Sequence, residues 1–278
     1  MKNHPFFVHF YKCEKLNDFL KNLRGVNYVR PKKYLGQHFL KEDRIALKIV
    51  GELPHVPSNL VIEVGPGMGV LTRHLLNHEH FLAFDVDKES IEYLKSNFPD
   101  QSQKFLLMDF IKADLRKYDS KISVIGNFPY NISSQIFFKI WENKDKVTDV
   151  VCMIQKEVAD RISSKEGSKV YGILSVLLQA FYNIEYLFTV SPGNFIPPPK
   201  VQSAVIRLKR NDTDQLPCDE KLFKKVVKTA FGKRRKTLRN ALKDLNLDAQ
   251  ITKDKVFDLR AEQLSVEMFI DLTLKASS

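Results

Sequence analysis

The sequence predicts an α/β protein in which a doubly wound sheet domain over residues 31–210 precedes a small helical domain over residues 211–278. Apolar runs of strand length alternate with helical patterns through the first two thirds of the chain, as in parallel βα units. The first strong run, residues 60–64, enters a glycine-rich turn, which is typical of the first crossover of a doubly wound sheet. After a polar linker at residues 211–218, apolar residues recur at helical spacing.

The bulk composition limits the classes of protein that fit this chain. A length of 278 residues with 44% hydrophobic residues can form one large and one small domain. No apolar run approaches the roughly 20 residues of a membrane span, so we expect no contact with a membrane. The three cysteines are scattered without metal-ligand spacing, which is typical of a reducing compartment, and we expect a cytoplasmic protein.

The net charge of +11 is concentrated in two segments. Residues 1–33 hold eight basic and two acidic side chains, and residues 200–243 hold fourteen basic and four acidic ones. The remainder of the chain is therefore net acidic. This polarity predicts that a polyanion lies across particular faces of the protein, because a charge serving only solubility would be spread evenly.

Residues 1–30 form an N-terminal extension in this interpretation. An amphipathic helix is possible around residues 13–23, but the segment lacks the compact apolar region and the cleavage site of a secretory signal. We expect this extension to be poorly ordered. The helical pattern of Ile45, Ile49 and Val50 then marks the first helix of the sheet domain.

The glycine-rich turn predicts a nucleoside site. Gly65 and Gly67 allow close approach of a ligand to the backbone, and a helix is expected at residues 70–76. Asp85 ends the next strand, where a carboxylate can accept from both ribose hydroxyls. The third glycine comes one position early for the dinucleotide fingerprint, and Pro66 intervenes. The shorter turn suits S-adenosylmethionine, which has no pyrophosphate, better than NAD.

Two further polar residues follow the next two strands. Asp109 comes after residues 104–108 and is placed to accept from an adenine amino group, and Asn127 comes after residues 121–126. In a doubly wound sheet, ligands bind at the carboxyl ends of the strands. Gly65, Asp85, Asp109 and Asn127 are thus expected to surround one site.

The turn at Asn127-Phe128-Pro129-Tyr130 has the groups needed to methylate an adenine amine. The lone pair of that amine is delocalised into the ring, and two acceptors aimed at its N–H groups would oppose the delocalisation. The Asn127 side chain and the Phe128 carbonyl are the candidate acceptors, since Pro129 favours an extended Phe128. Tyr130 can stack on an extruded base. Taken alone, the same residues also fit an ordinary strand-ending turn with a buried tyrosine.

Later elements complete the sheet. A fifth strand at residues 149–154 and a helix at residues 157–162 precede a stiff proline loop, residues 195–200. That loop could present Phe195 to the other face of the base, or it could be a plain loop before an edge strand. Residues 201–208 alternate as a closing strand.

Two clusters of ionisable residues have both functional and ordinary interpretations. His74, His78 and His80 lack a nearby cysteine or paired carboxylate, so we expect solvated surface histidines and no metal. Residues 221–243 contain ten basic residues and no acidic one, a run that is either a solvated face or a phosphate-binding surface. The absence of acids within the run favours contact with nucleic-acid phosphates. The candidate contacts are Lys233, Arg234, Arg235, Lys236 and Arg239.

The chain resembles the KsgA-type small-subunit rRNA adenine N6-dimethyltransferases over about residues 31–273. The resemblance rests on six motifs in the family's order. They are KYLGQHFL at 33–40, EVGPG at 63–67, GNFPYNIS at 126–133, QKEV at 155–158, PPPKVQSAV at 197–205 and RRKT at 234–237.

The resemblance implies a Rossmann-like, S-adenosylmethionine-dependent methyltransferase domain that needs no metal. It implies that the methyl donor is bound by His38, Leu40, Gly65, Gly67, Asp85, Asp109 and Asn127. It further implies dimethylation of two neighbouring adenosines in the 3′-terminal hairpin of small-subunit rRNA, within an immature 30S-type subunit. The sequence gives no oligomeric state, and we expect a monomer as the default for an enzyme that docks on a ribosomal subunit. Phe128, His38 and Asp85 depart from the leucine, asparagine and glutamate that are usual or frequent there, and the shorter aspartate makes the ribose contact the least secure.

Three alternatives remain open from the sequence. The related antibiotic-resistance enzymes methylate one adenosine of large-subunit rRNA, although the proline loop and the RRKT unit favour the small-subunit type. A non-catalytic assembly factor on the same fold is disfavoured by the intact turn at Asn127. An NAD-dependent dehydrogenase is disfavoured by the spacing of the glycine turn and by the basic C-terminal unit.

Overall fold

The structure is a computed structural model that describes residues 28–277. The N-terminal extension expected at residues 1–30, with the possible helix around residues 13–23, lies outside the described residues except for its last three. Residues 28–41 run as a strap across the carboxyl edge of the sheet, and they include a single turn of 3-10 helix at Lys33–Leu35.

A seven-stranded mixed sheet forms the centre of the molecule, in the spatial order β4-β3-β2-β5-β6-β9-β7. The first five of these strands are parallel, and β9 is antiparallel to both of its neighbours. The strands are β2 (Leu60–Val64), β3 (Phe81–Asp85), β4 (Phe105–Leu107), β5 (Ile122–Asn127), β6 (Val147–Gln155), β7 (Tyr182–Val190) and β9 (Ser203–Arg210). The α/β class is confirmed.

A second, two-stranded sheet pairs β1 (Phe39–Leu40) with β8 (Phe195–Ile196). Its paired residues are 155 or more positions apart in the chain, so the pairing has no local sequence signal. It fastens the strap to the proline loop, and Lys41 N–H donates to the Asn194 carbonyl at 3.0 Å beside it.

Nine α-helices are described in residues 28–277. They are α1 (Asp43–Gly51), α2 (Thr72–Leu75), α3 (Lys88–Asn97), α4 (Ser133–Glu142), α5 (Lys156–Ser163), α6 (Ile173–Gln179), α7 (Glu220–Gly232), α8 (Leu238–Ala241) and α9 (Val266–Ser277). Helices α1 to α3 contribute to one apolar cluster and α4 to α6 to another. The strands in between are buried on both faces, as expected of a doubly wound sheet: Val61 belongs to one cluster while Ile62 belongs to the other.

The C-terminal helices continue the second of these clusters. Phe223 and Phe269 are fully buried in it, and Tyr171 meets Phe231 edge-to-face at 6.0 Å between ring centres. The buried Lys144 pairs with Glu220 at 2.7 Å across the same junction. The helical character of this part is confirmed, whereas the domain boundary near residue 210 stays a prediction.

Two predicted elements differ from those observed. The helix expected at residues 70–76 is only Thr72–Leu75, because the backbone turns with positive φ at Gly65, Gly67 and Gly69 before it becomes helical. The strand expected at residues 201–208 starts at Ser203 and lies inside the sheet between β6 and β7, so it does not close an edge. The predicted strand ends at Asp85 and Asn127 are confirmed to within one residue.

Candidate active site

A cavity of about 240 Å³ opens at the carboxyl ends of β2, β3 and β5. The strap covers one side of it and the turn after β5 forms another. Eight predicted site residues line this cavity together: His38, Gly65, Gly67, Asp85, Asp109, Asn127, Phe128 and Tyr130. The parallel topology explains the convergence, since every crossover returns the chain to the same edge of the sheet.

The glycine turn packs directly beneath the strap. Gly67 has φ +54°, and a Cβ atom there would lie 2.7 Å from the Phe39 ring. Gly65 has φ +70° and faces Pro129 of the β5 turn. Both glycines therefore keep backbone within reach of a ligand where a side chain would fill the space.

Asp85 is buried at the end of β3, with 7% of its surface exposed. One carboxylate oxygen accepts from the Gly67 amide at 3.3 Å and the other from the Asp87 amide at 2.9 Å. Burial raises the pKa of Asp85 to about 6, so the group is ionised at neutral pH and remains an acceptor. A carboxylate held in this way has the chemistry to bind ribose hydroxyls.

The cavity wall beyond Asp85 combines apolar surface with a second carboxylate. Val86 is 48% exposed beside the cavity, and Ile111 lines it as well. Asp109 Oδ1 accepts from the Ile111 amide at 2.9 Å, which closes a tight turn after β4. This wall therefore offers apolar side chains for the faces of a ring and a carboxylate that can accept from an amino group, while the role predicted for Asp109 stays a prediction.

Asn127 holds an unpaired hydrogen-bond acceptor. Its Nδ2 donates to the His38 carbonyl at 2.8 Å, which fixes the orientation of the amide. Its Oδ1 is buried and has no partner among residues 28–277. A buried acceptor without a partner costs about 1–3 kcal/mol, and of the buried unpaired side-chain atoms in residues 28–277 this is the one that belongs to the cavity lining.

Tyr130 is held with its ring at the cavity. Its hydroxyl hydrogen-bonds Ser203 Oγ, and burial raises the pKa of that hydroxyl, so it stays neutral. The His38 ring lies 5.2 Å from the Tyr130 ring, and His38 Nδ1 donates to the Pro197 carbonyl at 2.8 Å. The tyrosine is therefore positioned by His38 of the strap and by Ser203 at the start of β9, and His38 is itself bonded to the proline loop.

Two predicted site residues are not brought to the cavity. Phe195 is only 2% exposed and packs with Leu40 in the apolar cluster beneath the strap, so the predicted stacking of Phe195 on a base is not seen. Leu40 is 3% exposed, and its side chain belongs to the same cluster. Phe195 is buried because β8 pairs with β1, and no residue of the proline loop is in the cavity lining.

Phe128 reaches the cavity differently from Tyr130. Its side chain is 1% exposed and meets Phe137 edge-to-face at 5.9 Å, while its amide donates to the Met153 carbonyl at 3.0 Å. The remaining polar group of the residue is its carbonyl. The role predicted for that carbonyl stays a prediction.

The strap is anchored by a cluster of Lys32, Gln37 and Asp87, to which the sequence analysis assigned no role. Asp87 accepts from Gln37 Nε2 at 3.0 Å and pairs with the Lys32 ammonium, and Gln37 Oε1 accepts from the Lys32 amide at 2.8 Å. Burial would raise the pKa of Asp87, but the bonds from Lys32 and Gln37 outweigh it and hold the pKa below its usual value. The available signal was the spacing Asp85-x-Asp87 before a helix, since Asp87 caps α3 by accepting from the Glu89 amide.

The basic run separates into paired and unpaired residues. Lys233 pairs with Asp244 at 2.6 Å and Arg239 with Asp258 at 2.8 Å, while Arg234 lies 3.7 Å from Glu262 and donates to the Lys169 carbonyl. Residues 221–243 contain no acidic residue, but acidic side chains from residues 244–262 thus neutralise part of their charge. Arg235 and Lys236 are exposed, and their side chains have no ion pair or hydrogen bond within residues 28–277.

The histidines near α2 have ordinary structural contacts. His74 Nε2 bonds Asp43 at 2.8 Å, and the His55 and His78 rings lie 5.8 Å apart. Across residues 28–277, no three or more His, Cys, Asp or Glu side chains are grouped so as to hold a metal ion. In the same part of the chain, every helix is too short or too polar to cross a membrane.

Comparisons with known proteins place this chain in a family. A family model described as ribosomal RNA adenine dimethylase matches residues 29–275. A protein of Cytophaga hutchinsonii named ribosomal RNA small subunit methyltransferase A is 56% identical over 249 residues, which are 88% of this chain and 96% of that protein. A protein of the same name from Parabacteroides distasonis is 55% identical, covering 88% and 94%.

A solved structure supports the fold. The crystal structure of a dimethyladenosine transferase from Plasmodium falciparum superposes with a TM-score of 0.74, covering 85% of this chain and 96% of that one at 24% identity. The sheet, the crossovers and the C-terminal helices of the present chain are thus arranged as in that protein.

Proposed function

The chain belongs to the ribosomal RNA adenine dimethylase family, and from that premise we propose how it acts on small-subunit rRNA. It is an rRNA methyltransferase that transfers methyl groups to adenine N6 and produces N6,N6-dimethyladenosine. In the proposal, S-adenosylmethionine is the donor and the acceptors are two neighbouring adenosines in the 3′-terminal hairpin, each of which receives two methyl groups.

The unpaired Oδ1 of Asn127 is the observation that carries this proposal. Asn127 lines the cavity together with Asp85 and Tyr130, and its Oδ1 atom is buried without a partner in residues 28–277. A hydrolase or dehydrogenase site would not require a buried amide acceptor at this position. An adenine amino group supplies the missing donor.

The residues on the donor side fit S-adenosylmethionine. Asp85 would accept from its ribose hydroxyls, Asp109 from its adenine amino group, and the turn at Gly65 and Gly67 would approach its amino-acid part. Bound there, S-adenosylmethionine supplies an electrophilic methyl group on a sulfonium. His38, whose carbonyl is bonded to Asn127, couples the strap on this side to the acceptor side.

On the acceptor side, the chain activates the amine by hydrogen bonding. Asn127 Oδ1 accepts from one N6–H of the target adenine, and the Phe128 carbonyl accepts from the other. Both bonds draw the nitrogen lone pair out of conjugation with the ring, so it can attack the methyl carbon. Tyr130 stacks on the base and contributes roughly 1–3 kcal/mol. No strong general base is needed, because the proton leaves after the transfer.

The second transfer needs a modified arrangement, since a monomethylated amine has a single N–H. One acceptor must then release its partner and leave room for a methyl group. We assign the retained bond to Asn127, because its amide is fixed by the bond to His38 and cannot rotate freely. Asn127 is accordingly needed in both steps.

The proposal extends to the way the RNA is held. Arg235 and Lys236, which are exposed and unpaired in the described part of the chain, contact phosphates. The RNA is bound within an immature 30S-type subunit, where shape and backbone contacts outweigh sequence. The enzyme works as a monomer in the cytoplasm.

The decisive experiment incubates the protein and labelled S-adenosylmethionine with small subunits that lack these methyl groups. Mass spectrometry of the RNA nucleosides then identifies the product and its position. Dimethyladenosine in the 3′ hairpin supports the reaction, the substrate and the double transfer together. Transfer to naked large-subunit RNA instead would favour the resistance-type activity. Binding of donor and subunit without transfer would favour a non-catalytic assembly factor.

A further inference from the structure

Tyr34 is unusual among the apolar and aromatic side chains of the described chain. It is 75% exposed, while the next most exposed large hydrophobic residue, Leu107, is 57% exposed. A single exposed aromatic residue is common on protein surfaces and has no meaning by itself. A role for Tyr34 depends on where its ring lies relative to the cavity and on whether its backbone is held in place.

The backbone of Tyr34 is fastened to the catalytic turn. Asn131, which directly follows Tyr130, donates from Nδ2 to the Tyr34 carbonyl at 3.1 Å. A Cβ atom on Gly36 would lie 2.7 Å from Asn131 Oδ1, so the two segments are in close contact. Leu35, Gly36 and Asn131 all line the cavity. Tyr34 therefore stands at the rim of the cavity in which the target base is proposed to lie.

The turn that presents Tyr34 is also fixed from its other end. The amides of Leu35 and Gly36 donate to the carbonyls of Lys32 and Lys33 at 3.0 Å, which closes the single 3-10 turn. The Lys32 ammonium is tied to Asp87 and lies 3.3 Å from Glu89. A ring mounted on this turn loses little entropy on binding, because the backbone beneath it is already ordered.

The two lysines before Tyr34 have different surroundings. Lys32 is neutralised by Asp87 and Glu89, whereas the exposed Lys33 has neither an ion pair nor a side-chain hydrogen bond within residues 28–277. The exposed ring thus has a free cation beside it. An aromatic platform next to a cation matches a nucleotide, which offers a base to stack and a phosphate to pair.

The proposed reaction requires a place for a second base, and this inference rests on that proposed function. When one of two neighbouring adenosines lies in the cavity, the other is one nucleotide away and has lost a stacking partner. We propose that Tyr34 stacks on this neighbouring unpaired purine at the rim, with Lys33 on its phosphate. Tyr34 thereby holds the RNA in register while the adenosine in the cavity reacts.

The test compares Tyr34→Ala, Tyr34→Phe and Lys33→Ala with the unsubstituted protein on unmethylated small subunits. Val56→Ala is the matched control, because Val56 is 39% exposed but precedes β2 at the opposite, amino edge of the sheet. Loss of one stacking contact predicts a decrease of roughly 5- to 150-fold in kcat/KM for Tyr34→Ala. Tyr34→Phe keeps the ring and retains near-normal kcat/KM, and Val56→Ala has no effect. Calorimetric affinity for S-adenosylmethionine is unchanged in every variant, since Tyr34 does not line the cavity.

A second substrate separates stacking from any other effect. Small subunits are reconstituted with an abasic residue in place of the neighbouring adenosine, and on these the unsubstituted protein and Tyr34→Ala should have equal kcat/KM. Equal rates on normal subunits, or an undiminished loss on abasic ones, would overturn the inference. If the unsubstituted protein makes no dimethyladenosine on normal subunits, the proposed function itself fails and the inference falls with it.

Discussion

Asn127 uses the two polar atoms of its amide for different purposes. The donor is committed to the strap through the His38 carbonyl, and the acceptor is left buried without a partner in residues 28–277. The same residue thus joins the covering segment to the proposed reaction.

Asn127→Ala should lower the rate of both methyl transfers by about 10²- to 10³-fold, the usual effect of removing one preorganised hydrogen bond to the reacting group. Single-turnover reactions on small subunits, with monomethyl- and dimethyladenosine quantified separately, measure this. Asn143→Ala is the control, since the Asn143 side chain donates to the Lys139 carbonyl of α4 at 2.9 Å and does not line the cavity. Dimethyladenosine formed by Asn127→Ala at a near-normal rate would exclude the assigned role.

Asp85 presents a second test at the scale of a residue. Because burial raises the pKa of Asp85 to about 6, its carboxylate becomes protonated as the pH falls from 7 to 5. The ionised form is the better acceptor for ribose hydroxyls, so the affinity for S-adenosylmethionine should fall about tenfold over this range. Calorimetry at pH 5, 6 and 7 measures the change.

Asp85→Asn provides the comparison for that titration. The amide cannot ionise, so the variant should bind more weakly at pH 7 and should lose the pH dependence between pH 5 and 7. If the variant kept the same pH dependence as the unsubstituted protein, another group would be responsible.

At the scale of elements, the parallel strands β2 and β5 approach each other closely where the site begins. Gly126 is the penultimate residue of β5, and a Cβ atom there would overlap the Val64 carbonyl oxygen of β2. That neighbour is backbone, which cannot move aside without shifting a strand. The absence of a side chain at Gly126 therefore sets the spacing of the two strands that carry Asn127 and the glycine turn.

Gly126→Ala should destabilise the protein by about 1–3 kcal/mol, as is usual for overpacking. The control is Gly51→Ala at the end of α1, where a Cβ atom meets nothing within 4 Å and where the substitution should stabilise by up to about 1 kcal/mol. Urea denaturation of both variants gives the free energies of unfolding. A shift of the same sign in both would contradict the steric explanation.

At the scale of the whole molecule, the positive charge is not equally available for binding RNA. Lys233 and Arg239 pair with acids from other segments, whereas Arg235 and Lys236 are unpaired in the described chain. Burial of Phe223 and Phe269 in the cluster shared with the sheet face anchors this basic unit to the methyltransferase core. The unit therefore presents its free cations in a fixed relation to the cavity.

The double variant Arg235→Ala/Lys236→Ala should weaken binding to small-subunit rRNA and reduce the slope of log K against log salt by roughly 2, since each phosphate contact contributes about 0.9. Fluorescence anisotropy measures the affinity at salt concentrations between about 50 and 200 mM, and the slope follows from these values. Lys233→Ala is the control, because its ammonium already pairs with Asp244 at 2.6 Å. An unchanged slope in the double variant would rule out phosphate contacts at these two residues.

The fold class and most of the residues that line the cavity could be predicted from the sequence. Gly65, Asp85, Asp109 and Asn127 could be assigned to one site because each follows a strand, and parallel βα topology brings all strand ends to one edge. This inference uses only local patterns and a general rule of chain connection. The assignment of these four residues to one site therefore does not depend on any particular long-range contact.

Which other side chains reach the site could be seen only in the three-dimensional structure. Phe195 turned inward because β8 pairs with β1, the basic run acquired acids from residues 244–262, and Lys32 and Gln37 anchored the strap on Asp87. Each of these contacts joins residues well separated in the chain, with no shared periodicity to reveal it. Side-chain direction and pairing depend on packing between distant segments, and a local pattern carries no information about them.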